Sequence, residues 1–306
     1  MVAYAARRIV LLIPTLIGVS LLIFGVMKLI PGDPAEIVGG MDASDTDLEA
    51  IRRRLGLDQP LHVQYLTFVG GALRGDFGES TRSHRPVTDE LRHRLPETVK
   101  LAVVSMVIAT MAGVMLGIFA ALRPYSLWDN ALMAVAISGV STPVFWLGLM
   151  LILLFSVQLR WLPTSGSGGP QHLVLPAITL AAGSSAIIAR QMRADLIEVM
   201  HFDYIRTARA KGLAQRLVVG RHAIRNALIP TVTVVGLQFG NLLAGAVITE
   251  TVFAWPGLGR LLVDAIKFRD FPVVQATILI LAAMFVFVNL AVDLLYFALD
   301  PRIRMT

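Results

Sequence analysis

Three fixed cations, Arg206, Arg209 and Lys211, fall within the run Asp203-Tyr204-Ile205-Arg206-Thr207-Ala208-Arg209-Ala210-Lys211-Gly212. Groups of this kind pair with carboxylates on a facing surface. Asp203 is a good N-cap residue and Gly212 a good C′ residue, so the run predicts a helix of about two to three turns. A helix that short is marginal in water and needs a surface to pack against. The small residues Thr207, Ala208 and Ala210 suit close contact. The pattern reads as a docking element through which a soluble protein pushes on a membrane domain.

Other chemistry is excluded by spacing. The six histidines (His62, His84, His93, His172, His201 and His222) form neither an HExxH nor an i, i+4 pair, so no metal site is expected. Gly139-Val140-Ser141-Thr142-Pro143 lacks the second glycine of a nucleophile elbow. Ser165-Gly166-Ser167-Gly168-Gly169 precedes no phosphate-binding lysine and reads as a flexible turn, and GxxxxGK[ST] occurs nowhere. If nucleotide energy drives this protein, another polypeptide must bind the nucleotide. Ionisable groups inside apolar runs are few. Lys28 is placed to snorkel, and Asn289 and Asp293 at i, i+4 either line a pathway or make an interhelical hydrogen bond. Glu250 at the end of the fifth run either touches solute or marks the membrane boundary.

The elements that must position these residues are membrane spans. Of the 306 residues, 56% are hydrophobic and only 16% charged, against about 25% charged in a typical globular chain. There is no cysteine, which removes disulfides and thiol chemistry. The net charge of +6 does not point to nucleic acid, because the cations are spread among apolar runs beside anionic membrane lipid. The apolar run after Arg7-Arg8 exceeds the about 7–15 residues of a signal-peptide core and is not followed by a cleavage pattern.

A span needs about 20 apolar residues. Six runs approach that length: Ile9–Ile30, Leu101–Leu122, Ala131–Val157, Leu173–Ala189, Leu228–Thr249 and Val273–Leu299. The fourth is short and rich in small residues (Ala181-Ala182-Gly183-Ser184-Ser185-Ala186), as expected of a span buried within the bundle. Gly113-xxx-Gly117 and Gly236-xxx-Gly240 provide similar contact faces. Pro14, Pro143 and Pro176 lie within or beside spans, where neighbouring helices can satisfy the freed carbonyls. Broken helices at mid-depth, the mark of an ion-coupled carrier, are not expected.

Lysine and arginine set the orientation. Thirteen lie at the two termini and in the second-to-third and fourth-to-fifth connections, against four in the opposite short loops. Both termini and the basic rod are therefore expected on the cytoplasmic side. Residues 31–100 carry nine basic and twelve acidic side chains and are expected outside, since long segments translocate largely regardless of charge. Their turn signals, a helical stretch around Leu48–Leu55 and a surface helix at Leu61–Leu73 suggest an ordered subdomain.

Several colinear motifs carry a family resemblance. Tyr204–Gly212 followed by Arg225-Asn226-Ala227-Leu228-Ile229-Pro230 resembles the cytoplasmic "EAA" loop of ABC importer inner-membrane permeases, in the form seen in dipeptide and oligopeptide systems. Leu29-Ile30-Pro31-Gly32-Asp33-Pro34, Leu55-Gly56-Leu57-Asp58-Gln59-Pro60 and Gly75-Asp76-Phe77-Gly78-Glu79-Ser80 are similar to the N-terminal part of that family. Thr249–Gly259 and Asp300-Pro301-Arg302-Ile303-Arg304 resemble its C-terminal part. Dipeptide-type and glutathione-type first permeases are the most similar, with nickel permeases next. One departure stands out: Arg206-Thr207-Ala208 occupies the positions of the general Glu-Ala-Ala, so no salt bridge of that glutamate is carried over.

The resemblance implies an all-α membrane protein, six transmembrane helices in the type I importer architecture with an extracytoplasmic insertion after the first. The expected division is 1–30 (N-terminus and first helix), 31–100 (insertion), 101–299 (five-helix core with a coupling loop at 190–227) and 300–306 (cytoplasmic tail). The chain would be a bacterial inner-membrane permease subunit, not an enzyme, importing short peptides. Its implied partners are a second homologous permease, two cytoplasmic ATPases that bind ATP and Mg, and an extracytoplasmic solute-binding protein. Asp203, Tyr204, Arg206, Thr207, Ala208, Arg209, Ala210, Lys211 and Gly212 would form the coupling helix. Glu250, Asn289 and Asp293 are pathway or gate candidates. An ion-coupled carrier and a membrane scaffold are the alternatives.

Overall fold

The computed structural model describes residues 2–29, 33–39, 44–54 and 56–299, without the side chains of 2–9, 34, 37, 38, 293 and 295–299. Apart from one isolated bridge, Glu79–Pro86, every regular element among them is helical. The first helices are α1 (Val2–Leu29), α2 (Pro34–Gly39), α3 (Asp45–Arg54) and α4 (Leu61–Arg74). Then come α5 (Val87–Ala121), α6 (Leu127–Ser141), and α7 (Val144–Leu151) with a π-wound continuation to Gln158. Next are α8 (Pro170–Val199), the short α9 (Asp203–Ala210), and α10 (Gln215–Leu217), which runs through π-wound Val218–Ala223 into α11 (Ile224–Val252). α12 (Leu258–Lys267) and α13 (Phe271–Leu299) complete the described residues.

Among the described residues, five helical stretches are long and apolar enough to cross a membrane: Val10–Leu29, Val87–Ala121, Pro170–Val199, Gln215–Val252 and Phe271–Val292. The expected third span is not one rod. It breaks between Ser141 and Val144 into two arms bent by 108°. The cause is Pro143, which has no N–H and disfavours helical backbone at the residue before it. Thr142 is accordingly extended, at φ −87° and ψ 125°. The expectation that the spans are unbroken is therefore corrected. The expected fourth span extends over Pro170–Val199 and is the most enclosed of the five, with 61% of its most apolar window buried.

The chain forms two compact units. One comprises Met1–Thr98 and Pro256–Phe287. In it α1 packs on α4, where the Phe24 and Tyr65 rings meet edge to face at 5.6 Å and Ser20 Oγ lies 2.8 Å from Tyr65 Oη. Val87 and Leu91 share a core with Leu258, Leu261, Ala265, Val273, Val274 and Ala276. Two polar clasps hold its connections. Ser80 donates to Asp270 at 2.5 Å, and the Leu258 N–H donates to Thr98 Oγ1 at 2.8 Å. Asp33 joins the start of α2 to α3 through Arg52 at 2.6 Å. Burial would raise the Asp33 pKa, but the Ala35 N–H and the Arg52 guanidinium outweigh it and hold the carboxyl below the usual aspartate range.

The other unit comprises Val99–Trp255 and Val288–Thr306, with α8 at its centre. Small residues allow the close packing that helix association in lipid requires. A Cβ at Gly113 would sit 2.7 Å from the Ser185 carbonyl oxygen, and one at Gly117 2.6 Å from that of Ala189. Gly139 of α6 lies against Ala182 of α8 in the same way. On α11, Gly236 leaves room for Val292. The Ser165–Gly169 turn is pinned, because the Gly166 N–H donates to the Phe253 carbonyl at 2.9 Å.

Candidate coupling site

The cationic rod is α9, and it has two faces. Ile205 and Ala208, one turn apart, are buried against Met192, Leu196 and Val199 of α8 and against Val218, Ala223 and Ala227 leading into α11. Asp203, Arg206, Thr207 and Ala210 follow at i, i+3, i+4 and i+7, and all four are exposed. Arg209, Lys211 and Gly212 are exposed as well. Ala208, expected on the contact face, is buried within this chain. It belongs to the chain's own core, because an eight-residue helix must bury a stripe to persist. Ile205, absent from the expected site, is its main anchor. The signal was in the sequence: it is the only large aliphatic residue in the rod, three positions from Ala208.

The ends of α9 are also defined. Phe202, at φ −69° and ψ 148°, occupies the N-cap position, so Asp203 is the first helical residue and not the expected cap. Its charge still opposes the positive end of the helix. At the other end Gly212 has φ +77°, as its glycine identity suggested. The Gly212 N–H donates to Arg209 O at 2.9 Å and the Leu213 N–H to Ala208 O at 3.4 Å, the two bonds of a Schellman turn. Tyr204 ties α9 to α11 by accepting from Asn226 Nδ2 at 2.8 Å.

The exposed surface of this region is cationic. Arg206, Arg209, Lys211, Arg216 and Arg221 all reach solvent. The 3.7 Å contact between Arg206 and Asp203 joins two largely exposed side chains and contributes little. Phe202, Tyr204, Leu213 and Leu217 add partly exposed apolar area beside these charges.

Two polar joints fasten the helices around α9. Arg193 of α8 grips Asp129 of α6 in a bidentate pair, Nε to Oδ1 at 2.6 Å and Nη2 to Oδ2 at 2.5 Å. Asp129 is 1% exposed and also accepts the Tyr125 N–H. Removing Arg193 would strand that carboxylate, at a cost of about 3–5 kcal/mol. Nearby, buried Asp195 of α8 accepts from Thr231 of α11 at 2.9 Å and from Gln191 at 2.8 Å. Neither joint was expected: Arg193 falls in the fourth-to-fifth connection, 190–227, whose cations count toward orientation. Ser126-x-x-Asp129 ahead of an apolar run was a legible capping signal, and Ser126 does accept the Asp129 N–H.

The three pathway candidates lie apart from α9 in sequence. Glu250, near the end of α11, is fully buried, and its backbone carbonyl accepts the Trp255 N–H at 2.9 Å. Its side chain thus meets neither solvent nor lipid in this conformation. Asn289 is half-buried on α13, and the Asp293 side chain lies outside the described residues.

Comparison with known proteins supports one lineage. Residues 113–305 match the family described as "Binding-protein-dependent transport system inner membrane component", and residues 1–102 match that system's N-terminal membrane component. The chain is 48% identical over 304 residues to the glutathione transport system permease protein GsiC of Escherichia coli (strain K12), covering 99% of each. The same protein of Shigella dysenteriae serotype 1 (strain Sd197) gives the same figures. An inward-facing structure of the MetNI methionine ABC transporter superposes with a TM-score of 0.58 at 22% identity, covering 69% of this chain and 96% of that one. An amino acid ABC transporter with histidines gives 0.52 at 18%, over 70% and 94%. These two likenesses establish the fold alone. With both family segments matched in order and the homology running the length of the chain, the protein belongs to the binding-protein-dependent inner-membrane transport components, and is a non-catalytic, multi-pass permease of a bacterial ABC importer in which ATP is hydrolysed on a partner ATPase.

Proposed function

We propose that this chain imports glutathione or similar short peptides, forming half of the translocation pathway beside a second homologous permease. Two cytoplasmic ATPases and an extracytoplasmic binding protein complete the assembly. Both termini and α9 face the cytoplasm, and residues 31–100 face outward. α9 is the coupling helix, with Asp203, Arg206, Thr207 and Ala210 as its contact face and Arg209 and Lys211 at its flank. The carrying observation is the split character of α9: an apolar stripe seated between α8 and α11, and an open opposite face flanked by the cations Arg209 and Lys211. A helix seated on both α8 and α11 turns displacement of its outer face into movement of those helices as rigid bodies. Asp195–Thr231 joins the same two helices, so they respond together.

Glutathione is favoured as cargo by the full-length likeness to the E. coli permease. The absence of cysteine fits a thiol cargo, since no mixed disulfide can trap it on this chain. The test is uptake into vesicles by the reconstituted assembly with its own binding protein, offering radiolabelled glutathione, a dipeptide and nickel. ATP-dependent glutathione accumulation is expected, and nickel uptake without peptide uptake would overturn the cargo assignment. Uptake that persists without the ATPases would overturn the coupling role of α9.

A further inference from the structure

α1 belongs to the unit that contains neither α8 nor α9. A cavity of about 340 Å³ lies between the C-terminal end of α1, α4 and the start of α13. Its wall is apolar and half-buried at Phe24, Met27, Phe68 and Phe271. Among the described residues, Lys28 is the single charged side chain that lines it, and no carboxylate does.

Lys28 is held in place. Its Nζ donates to Gln64 Oε1 at 2.5 Å and lies 5.5 Å from the Phe24 ring centroid. Gln64 cannot turn away easily, because its Nε2 donates to the carbonyls of Leu57 at 3.1 Å and Gln59 at 2.7 Å. An ammonium has three N–H donors, so among the described residues two remain beyond the bond to Gln64. A lysine that only snorkels needs no such bracing.

We propose that this cavity binds the headgroup phosphate of one anionic phospholipid, from the leaflet that meets the C-terminal end of α1. Lys28 is the penultimate residue of the apolar span Val10–Leu29, the depth at which headgroup phosphates lie. The volume sits at the low end of the about 300–1,000 Å³ usual for small-molecule sites, enough for a headgroup but not for two acyl chains. The chains continue along α1, whose span is only 11% buried and exposes Leu21, Leu22 and Val26. A soluble anion would use the Lys28 end and leave the apolar wall unused.

The test uses the full chain in its assembly, in nanodiscs carrying either a photoreactive phosphatidylglycerol or a photoreactive phosphatidylcholine, with labelled peptides read by mass spectrometry. A basic residue near a membrane surface contributes about 1 kcal/mol to anionic-lipid binding, which corresponds to about fivefold. Phosphatidylglycerol should label the segments around Phe24–Lys28 and Gln64–Phe68 about fivefold more than phosphatidylcholine. Lys28→Gln should remove that preference, and Lys28→Arg should keep it. Three results would overturn the proposal: equal labelling by both lipids in the wild type, a preference unchanged in Lys28→Gln, or labelling displaced by soluble glycerol phosphate. Lys28→Arg separates loss of charge from misfolding, because it must insert and assemble while retaining the preference.

Discussion

Replacing Ile205 by Ala removes three buried carbons from the seat of α9 while leaving every exposed side chain of the helix in place. Substitutions of this type cost about 2–5 kcal/mol, the spread reflecting how far the site collapses. An eight-residue helix has almost no intrinsic stability to set against that loss. Taking about 3 kcal/mol from that range, the opening equilibrium of α9 should rise on the order of a hundredfold. Amide hydrogen exchange on the intact membrane-embedded chain reads this directly, as faster exchange confined to the α9 amides. Thr207→Ala is the control. It is exposed, its surface change should stay within about 0.5 kcal/mol, and its exchange should move less than about threefold. ATPase retention on purification supplies the functional arm. It should fall in Ile205→Ala because the helix is no longer presented, and in Arg206→Glu with Arg209→Glu because the facing charges are reversed. Only the first of these should lose protection. Unchanged α9 exchange in Ile205→Ala, or retained ATPase after protection is lost, would refute the seat-and-face reasoning.

Other outcomes follow from the same geometry. Gly212→Ala should weaken the end of α9 by about 1 kcal/mol, since an L-residue is strained at φ +77°; exchange at Arg209–Leu213 measures it. Arg193→Gln should destabilise the assembled protein by about 3–5 kcal/mol, and pairing it with Asp129→Asn should recover much of that, measured by thermal inactivation of the purified assembly. Gly117→Val should separate α5 from α8, because its Cβ would lie 2.6 Å from the Ala189 carbonyl oxygen; distances between spin labels on these helices should widen. The Asp33–Arg52 tie between α2 and α3 follows the carboxyl's depressed pKa: fully present above the ordinary value of about 3.9, and lost as pH falls through the lower folded value. Corrected exchange rates in α3 should therefore rise below about pH 4 in the wild type, and Asp33→Asn should remove that step.

Short-range constraints were legible in the residues themselves. The apolar runs, the small-residue stretch of α8 and the glycines Gly113 and Gly117 locate spans and contact faces, because hydropathy and Cβ volume act locally. Gly212 marks the end of α9 because only glycine adopts its backbone conformation without strain. Even Pro143 carried its message, although reading it as tolerated within one span missed the 108° bend. The family itself followed from colinear motifs and from the full-length homology.

Partnership between distant residues was decided by tertiary structure. Asp129 and Arg193 stand 64 positions apart, and Asp195 and Thr231 stand 36 apart. A charge in sequence does not say whether it will meet solvent, lipid or another charge, so Arg193 passed for a topology marker and Glu250 for a residue that either touches solute or marks the membrane boundary. The face that α9 buries was settled the same way. Ile205 and Ala208 point inward because α8 and α11 converge there, and that convergence depends on contacts spread over more than thirty residues of chain. Periodicity can place a stripe on a helix, but only the packed neighbours determine whether the stripe is a seat within the chain or a surface for another protein.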